Sequence, residues 1–152
     1  MSSNFTVIID QRQHFGNDPG DHPGAFVGSN KEYPFPCPNV DPREPAVLLF
    51  QTLSVTHDRH FIAINSIGAT GDPEVFGGIP VSASNTDWTG NIMLIRPNVL
   101  RENNILRLGA RASDGSLGGL SGEVDDFVID NVVVLFKTKR RALDAILSLG
   151  RR

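Results

Sequence analysis

With 152 residues, fifteen glycines, ten prolines and a single cysteine, the chain is long enough for one domain with a real core but holds no disulfide framework. Its net charge of −3 hides a division: residues 1–136 carry eight Lys/Arg against sixteen Asp/Glu, and residues 137–152 carry six against one. An acidic body disfavours whole-surface binding of nucleic acid, and no run approaches the ~18 apolar residues of a membrane span.

The first residues lack a basic segment followed by a long apolar one, so the expectation is synthesis in the cytoplasm with no signal peptide. Phe5 to Asp10 is a short apolar run and reads as a first strand. Residues 16–45 then hold seven of the ten prolines, together with Gly16, Gly20, Gly24 and Gly28. That density of breakers argues against helix and strand alike, and predicts an extended arm or loop that is functional or draped over a partner. Asp18 and Asp21 with His14 and His22 match neither an EF-hand nor a zinc spacing, so a solvated loop is the better reading. Cys37, within Tyr-Pro-Phe-Pro-Cys-Pro, has no neighbouring base and reads as a loop thiol rather than a nucleophile.

Ala46 to Val55 is the next strand, and His60 to Ile67 its return strand across the turn Thr56–Arg59, giving a hairpin. His57 and His60 flank that turn, where joint metal ligation would need a favourable bend. Ile79 to Ser82 reads as a short edge strand, because Pro80 lacks a ladder donor. Polar turn chemistry surrounds the only tryptophan, Trp88, and Asn91 to Arg96 is a further strand. Arg101 to Asn104 predicts a tight turn with an Asn in the left-handed conformation. Ile105 to Ala112 follows as a strand with Arg107 and Arg111 on one face. The glycines of Asp114 to Gly122 precede a strand rather than a helix, which disfavours a phosphate-cradling loop.

Phe127 to Phe136 has eight apolar residues in ten, mostly β-branched or aromatic, and predicts a strand near the centre of a sheet. Asp130 and Asn131 interrupt it; being adjacent, one of them is expected on the buried face, where an unpartnered polar group is costly. Beyond it, Ala142, Leu143, Ile146, Leu147 and Leu149 recur at helical spacing, with Gly150 as a C-cap. A helix this short needs a surface to rest on. The expected organisation is therefore a single all-β domain, an antiparallel β-sandwich over residues 1–136 with the 16–45 arm, and a basic amphipathic tail over 137–152.

The order of features from Asp87 to Phe136 resembles the galactose-binding-like β-sandwich, the jelly roll of many carbohydrate-binding modules. The resemblance rests on the Asp87-Trp88 turn, the strand Asn91–Arg96, the segment Val99–Leu108 with Glu102, Asn103 and Asn104 at its turn, and the closing strand Asp126–Val134. It implies a non-catalytic module that holds a glycan in loops at one end, commonly with a structural calcium. Carried over by position, Trp88 would be the sugar platform, with Asp87, Asn85 and Arg111 as hydrogen-bonding partners. Asp125, Asp126 and Asp130 would supply calcium oxygens.

Two non-enzymatic functions follow, since no nucleophile–base order, paired zinc spacing or cofactor loop is visible. The favoured one is a structural subunit of a larger assembly, such as a virion or phage tail, with oligomeric partners gripped through 16–45 and 138–152. In the tail, Lys139, Arg140, Arg141, Leu143, Ile146 and Leu147 would make those contacts. The alternative is a glycan- or surface-ligand-binding module of the galactose-binding-like type, and a hydrolytic enzyme is the least favoured third reading.

Overall fold

The computed structural model describes residues 2–20, 22–65, 77–82, 84–118 and 123–139. Among these residues ten strands occur in the order β1 (Ser2–Ile9), β2 (Gln13–Phe15), β3 (Ala25–Gly28), β4 (Asn30–Pro36), β5 (Ala46–Leu53), β6 (Phe61–Ile64), β7 (Gly77–Gly78), β8 (Thr89–Ile95), β9 (Asn103–Gly109) and β10 (Phe127–Thr138). No helix is present among the described residues, and none there is long and apolar enough to cross a membrane. One sheet runs β3-β2-β10-β5-β8 with β1 also on β10; the other runs β4-β9-β6-β7. Every pairing is antiparallel except β2 with β3. Leu48, Phe50, Ile129 and Val134 from the first sheet meet Phe35, Ile62, Leu106 and Leu108 from the second in one core, a sandwich-like arrangement.

The strand β10 is central, as its composition predicts. One edge pairs with β5; the other is shared, β2 taking Phe127 to Ile129 and β1 taking Val132 to Thr138. The expectation that Asp130 or Asn131 occupies the buried face is not met. Between Asp130↔Gln51 and Val133↔Leu49 two residues oppose one, a β-bulge, and Asn131 takes φ 51° within it. Phe127 and Ile129 face the core before the bulge, and Val132, Val134 and Phe136 face it after. Both polar residues are thereby kept off the core. Asp130 Oδ1 accepts from the Asn131 N–H, and Asn131 Nδ2 donates to Gln51 Oε1.

Five further expectations are corrected. The 16–45 segment contains β3 and β4, so it is neither strandless nor a free arm; Phe35, Cys37 and Val40 are buried in the domain's own core. Strand β4 accepts Pro34 and Pro36 because it is an edge strand. Two residues apart, both prolines turn their missing N–H away from β9, while Cys37 N–H reaches Glu102 O. Ala46–Leu53 and Phe61–Ile64 do not form a hairpin: β10 and β8 occupy both edges of β5, so the chain crosses to the other sheet through Ser54 at φ 61°.

Residues 79–82 are not a strand; Gly77–Gly78 pairs with β6 instead, and Ile79 and Ser82 donate backbone bonds to His60 O and Val55 O. No Asn of the 101–104 segment is left-handed: Asn103 and Asn104 begin β9, and the nearest asparagine at positive φ is Asn98 (φ 68°). Asn104 is buried and bonds both Arg101 N and Arg101 O, closing the preceding turn. Lys137 and Thr138 belong to β10, and Lys139 N–H reaches Asn39 O, so the body extends beyond residue 136. The remaining tail, with Arg140, Arg141, Leu143, Ile146 and Leu147, lies outside the described residues.

Candidate functional site

All four histidines of the chain gather where β10 begins, around the adjacent pair Asp125-Asp126. Successive residues of extended chain point to opposite sides, and this pair follows the rule. Asp126 meets His14 of β2, Nε2 to Oδ2 at 2.8 Å, and its oxygens also accept from Asn17 N (2.9 Å) and Asp18 N (3.3 Å). Gly16 makes this possible: at φ 150°, a Cβ there would collide with the Asp126 carboxylate. His22 and Phe26 pack edge-on against the His14 ring.

On the other side, His57 Nε2 lies 2.8 Å from Asp125 Oδ2, while His57 Nδ1 accepts from Arg59 N–H. The Nε2 contact is close but off the N–H axis, so it is a polar contact rather than a directed hydrogen bond. His57 packs on His60, with ring centres 4.4 Å apart, and His60 packs on Phe127, which in turn stacks on Phe15.

His14 and His60 are fully buried, and each keeps one ring nitrogen without a hydrogen-bond partner, Nδ1 of His14 and Nε2 of His60. His60 Nδ1 accepts from Arg111 N–H, so its proton sits on the orphan Nε2. Burial, reinforced by His57 and Arg111 nearby, pulls the His60 pKa down to about 3, so this ring is neutral at neutral pH. Beside the cluster opens a cleft of about 840 Å³, lined in part by Asp18, His22, Asn85, Glu123, Asp125 and Asp126. Its acidic rim suits polar or cationic groups.

The residues expected to bind sugar or calcium separate. Asn85 lines this cleft with Asp125 and Asp126, and its carbonyl accepts from Ser54 Oγ. Asp87 is exposed in the same turn. Trp88 lies under the Arg12 guanidinium, 5.0 Å from the ring centre, so one face of the expected platform carries the protein's own cation. Arg111 points elsewhere, across the second sheet toward Asn30 and Phe61. The three carboxylates also diverge: Asp125 to His57, Asp126 to His14, and Asp130 to Arg12 at 3.9 Å. Among the described residues, no three His, Cys, Asp or Glu side chains converge as metal ligands would. Cys37 is buried, and burial pushes its thiol pKa up to about 11.

A second surface was not expected. On the outer face of the first sheet, the strand register aligns two rows of apolar residues, Phe5–Leu135–Val47–Leu94 and Val7–Val133–Leu49–Ile92. Ile92 is 76% exposed, Leu94 66% and Phe5 61%. The signal in sequence was the absence of alternation: β5, β8 and β10 are apolar at successive positions, as strands covered on both faces are. The histidine cluster left no comparable signal, because His14 and His57 come from distant segments.

No model of a known protein family matches the chain, and no curated protein matches it.

Proposed function

We propose that the chain is a non-catalytic β-sandwich subunit of a larger assembly, joined to a second copy of itself through the outer face of its six-stranded sheet. The observation that carries this reading is the double apolar row across β1, β10, β5 and β8. The exposed parts of Phe5, Val7, Ile92, Leu94 and Leu135 amount to roughly 500 Å² per copy, at the upper end of patches on monomeric proteins. Two such faces together would bury roughly 1,000 Å², about what a specific interface requires. The rows hold no charge, so an identical face meets them without the repulsion that an acidic body otherwise imposes. Among the described residues, strand β8 also ends its sheet beside the patch.

Light scattering tests this. The expected mass is at least twice 16.5 kDa, and the double substitution Ile92→Lys, Leu94→Lys, at positions already facing water, should give a folded monomer. A native protein that stays monomeric at about 100 μM, far above the Kd of an interface this size, overturns the reading.

The cleft supports a second reading, a galactose-binding-like module for a glycan or related polar ligand. Asn85, Asp18 and Asp125 bring convergent acceptors and an amide to one concave surface. A sugar array tests it: binding should depend on Asn85 and Asp125, and a blank array with folded protein removes it.

A further inference from the structure

On the outer face of the second sheet, away from both the apolar rows and the acidic cleft, lies a recess of about 370 Å³ between β4, β9 and β6. Its floor is formed by Phe61, which stands on the side of β6 opposite the core residues Ile62 and Ile64. In the register, Asn30, Gly109 and Phe61 lie side by side on three neighbouring strands. Gly109 leaves the middle position bare, and the Arg111 guanidinium fills it. A Cβ at residue 109 would come within 2.6 Å of both Arg111 Nη1 and Asn30 Oδ1.

The guanidinium is fixed there. Arg111 Nη1 donates to Asn30 Oδ1 at 2.8 Å and to Ala110 O at 2.7 Å, and the group sits 5.7 Å above the Phe61 ring centre. Those two bonds use the protons of Nη1. The edge formed by Nε and Nη2 has no protein acceptor among the described residues, and no carboxylate there pairs with Arg111.

The neighbouring charges are otherwise occupied. Glu32 is held by Arg107 Nε at 2.6 Å, and Lys31 Nζ reaches Gln13 Oε1 and lies over the Tyr33 ring. The recess therefore carries three cations against one acid, in a body whose charge is otherwise strongly negative.

We propose that this recess binds a small carboxylate-bearing molecule, with Arg111 as its anchor and Phe61 as the surface against which the ligand's apolar part lies. A free Nε/Nη2 edge offers two parallel N–H donors at the spacing of the two oxygens of a planar carboxylate. The apolar Phe61 floor beside the fixed fork favours an organic carboxylate over an inorganic phosphate. The fixed geometry lowers the ordering cost of binding, because Asn30 and the Ala110 carbonyl have already oriented the group. Burial pulls the Arg111 pKa down, which means that its charge is incompletely compensated by the protein alone.

The site stands apart from the interface and the cleft, so its test is independent of both. Benzoate, titrated into the full-length protein and followed by the Arg111 Nε–H resonance, should bind saturably at roughly millimolar Kd, as expected for a fragment of this size. Arg111→Lys, which keeps the charge but loses the paired donors, should weaken binding by about tenfold, and Arg111→Met should abolish it. Asn30→Ala removes the clamp on the guanidinium, and should weaken binding while the thermal midpoint stays near that of the native protein. No saturable shift with benzoate overturns the proposal, as does unchanged affinity in Arg111→Met. Inorganic phosphate binding as tightly as benzoate would overturn the assignment to a carboxylate.

Discussion

Replacing Asp126 with alanine should cost far more than its place at a strand entrance suggests. The carboxylate is only 9% exposed and takes three donors: His14 Nε2, Asn17 N and Asp18 N. The two backbone donors are near solvent and can turn to water, so each contributes little on its own. His14 cannot, because it is fully buried and its Nδ1 already lacks a partner. Deleting the acceptor leaves a buried imidazole with neither nitrogen satisfied, a cost of about 1–3 kcal/mol, to which the lost charge-assisted bonds add. The expected total is about 3–4 kcal/mol.

Asp126→Asn keeps one acceptor oxygen and should cost about half as much, which leaves a measurable variant if the alanine protein does not fold. Asp125→Asn is the control: Asp125 is half exposed and its contact with His57 is off axis, so its loss should cost under about 1 kcal/mol. Urea unfolding reads all three as midpoint shifts at constant slope. If the Asp126 variants lost no more stability than Asp125→Asn, the structural role assigned to this carboxylate would be wrong. A calcium chelator should leave the native midpoint unchanged, since both Asp126 oxygens are engaged by protein donors; a chelator-induced fall would return Asp125 and Asp126 to a metal.

His60 gives a pH dependence. Its folded pKa, about 3, lies below the ordinary 6.5, so below pH 6.5 the unfolded chain binds a proton that the folded one refuses. The stability from this group is complete above pH 6.5 and falls as the pH drops toward 3, by at most roughly 4–5 kcal/mol. His60→Gln should flatten the pH profile of the urea midpoint between 6 and 4 by up to about one proton, and an unaltered slope refutes the assignment. At the bulge, Asn131→Gly should change stability by less than about 0.5 kcal/mol, whereas Asn131→Val, forced to φ 51°, should cost about 1–2 kcal/mol. Equal stability of the two would mean that the bulge can relax.

Much of the fold was legible because period and composition are local. The strands at Ala46, Asn91 and Phe127 announce themselves through β-branched and aromatic residues. What failed was decided by partners at long range. The turn at Thr56–Arg59 suits a hairpin as well as a crossing between sheets, and only the occupation of both β5 edges selects the crossing. Pro34 and Pro36 look like breakers until their two-residue spacing is set on an edge strand. For the sites, Asp125 and Asp126 were visible as a cluster of acids. Their histidine partners, 112 residues away for His14, were not. Arg111 was singled out as a binding residue, but the gap at Gly109 that turns it toward Phe61 is invisible without the register.

The extra residue in β10 acts as a frameshift in the outward reading of that strand. With Asn131 kept and the bulge straightened into regular pairing, the second half would exchange faces. Val132, Val134 and Phe136 would then turn to water, and Lys137 would be driven into the core in place of its bond to Ser3 Oγ. One inserted residue therefore separates two territories on a single twelve-residue strand, the histidine-covered end at Phe127 and the bare apolar end at Val133 and Leu135. Either end can change by substitution while the other keeps its phase, provided the joint between them stays at Asp130-Asn131.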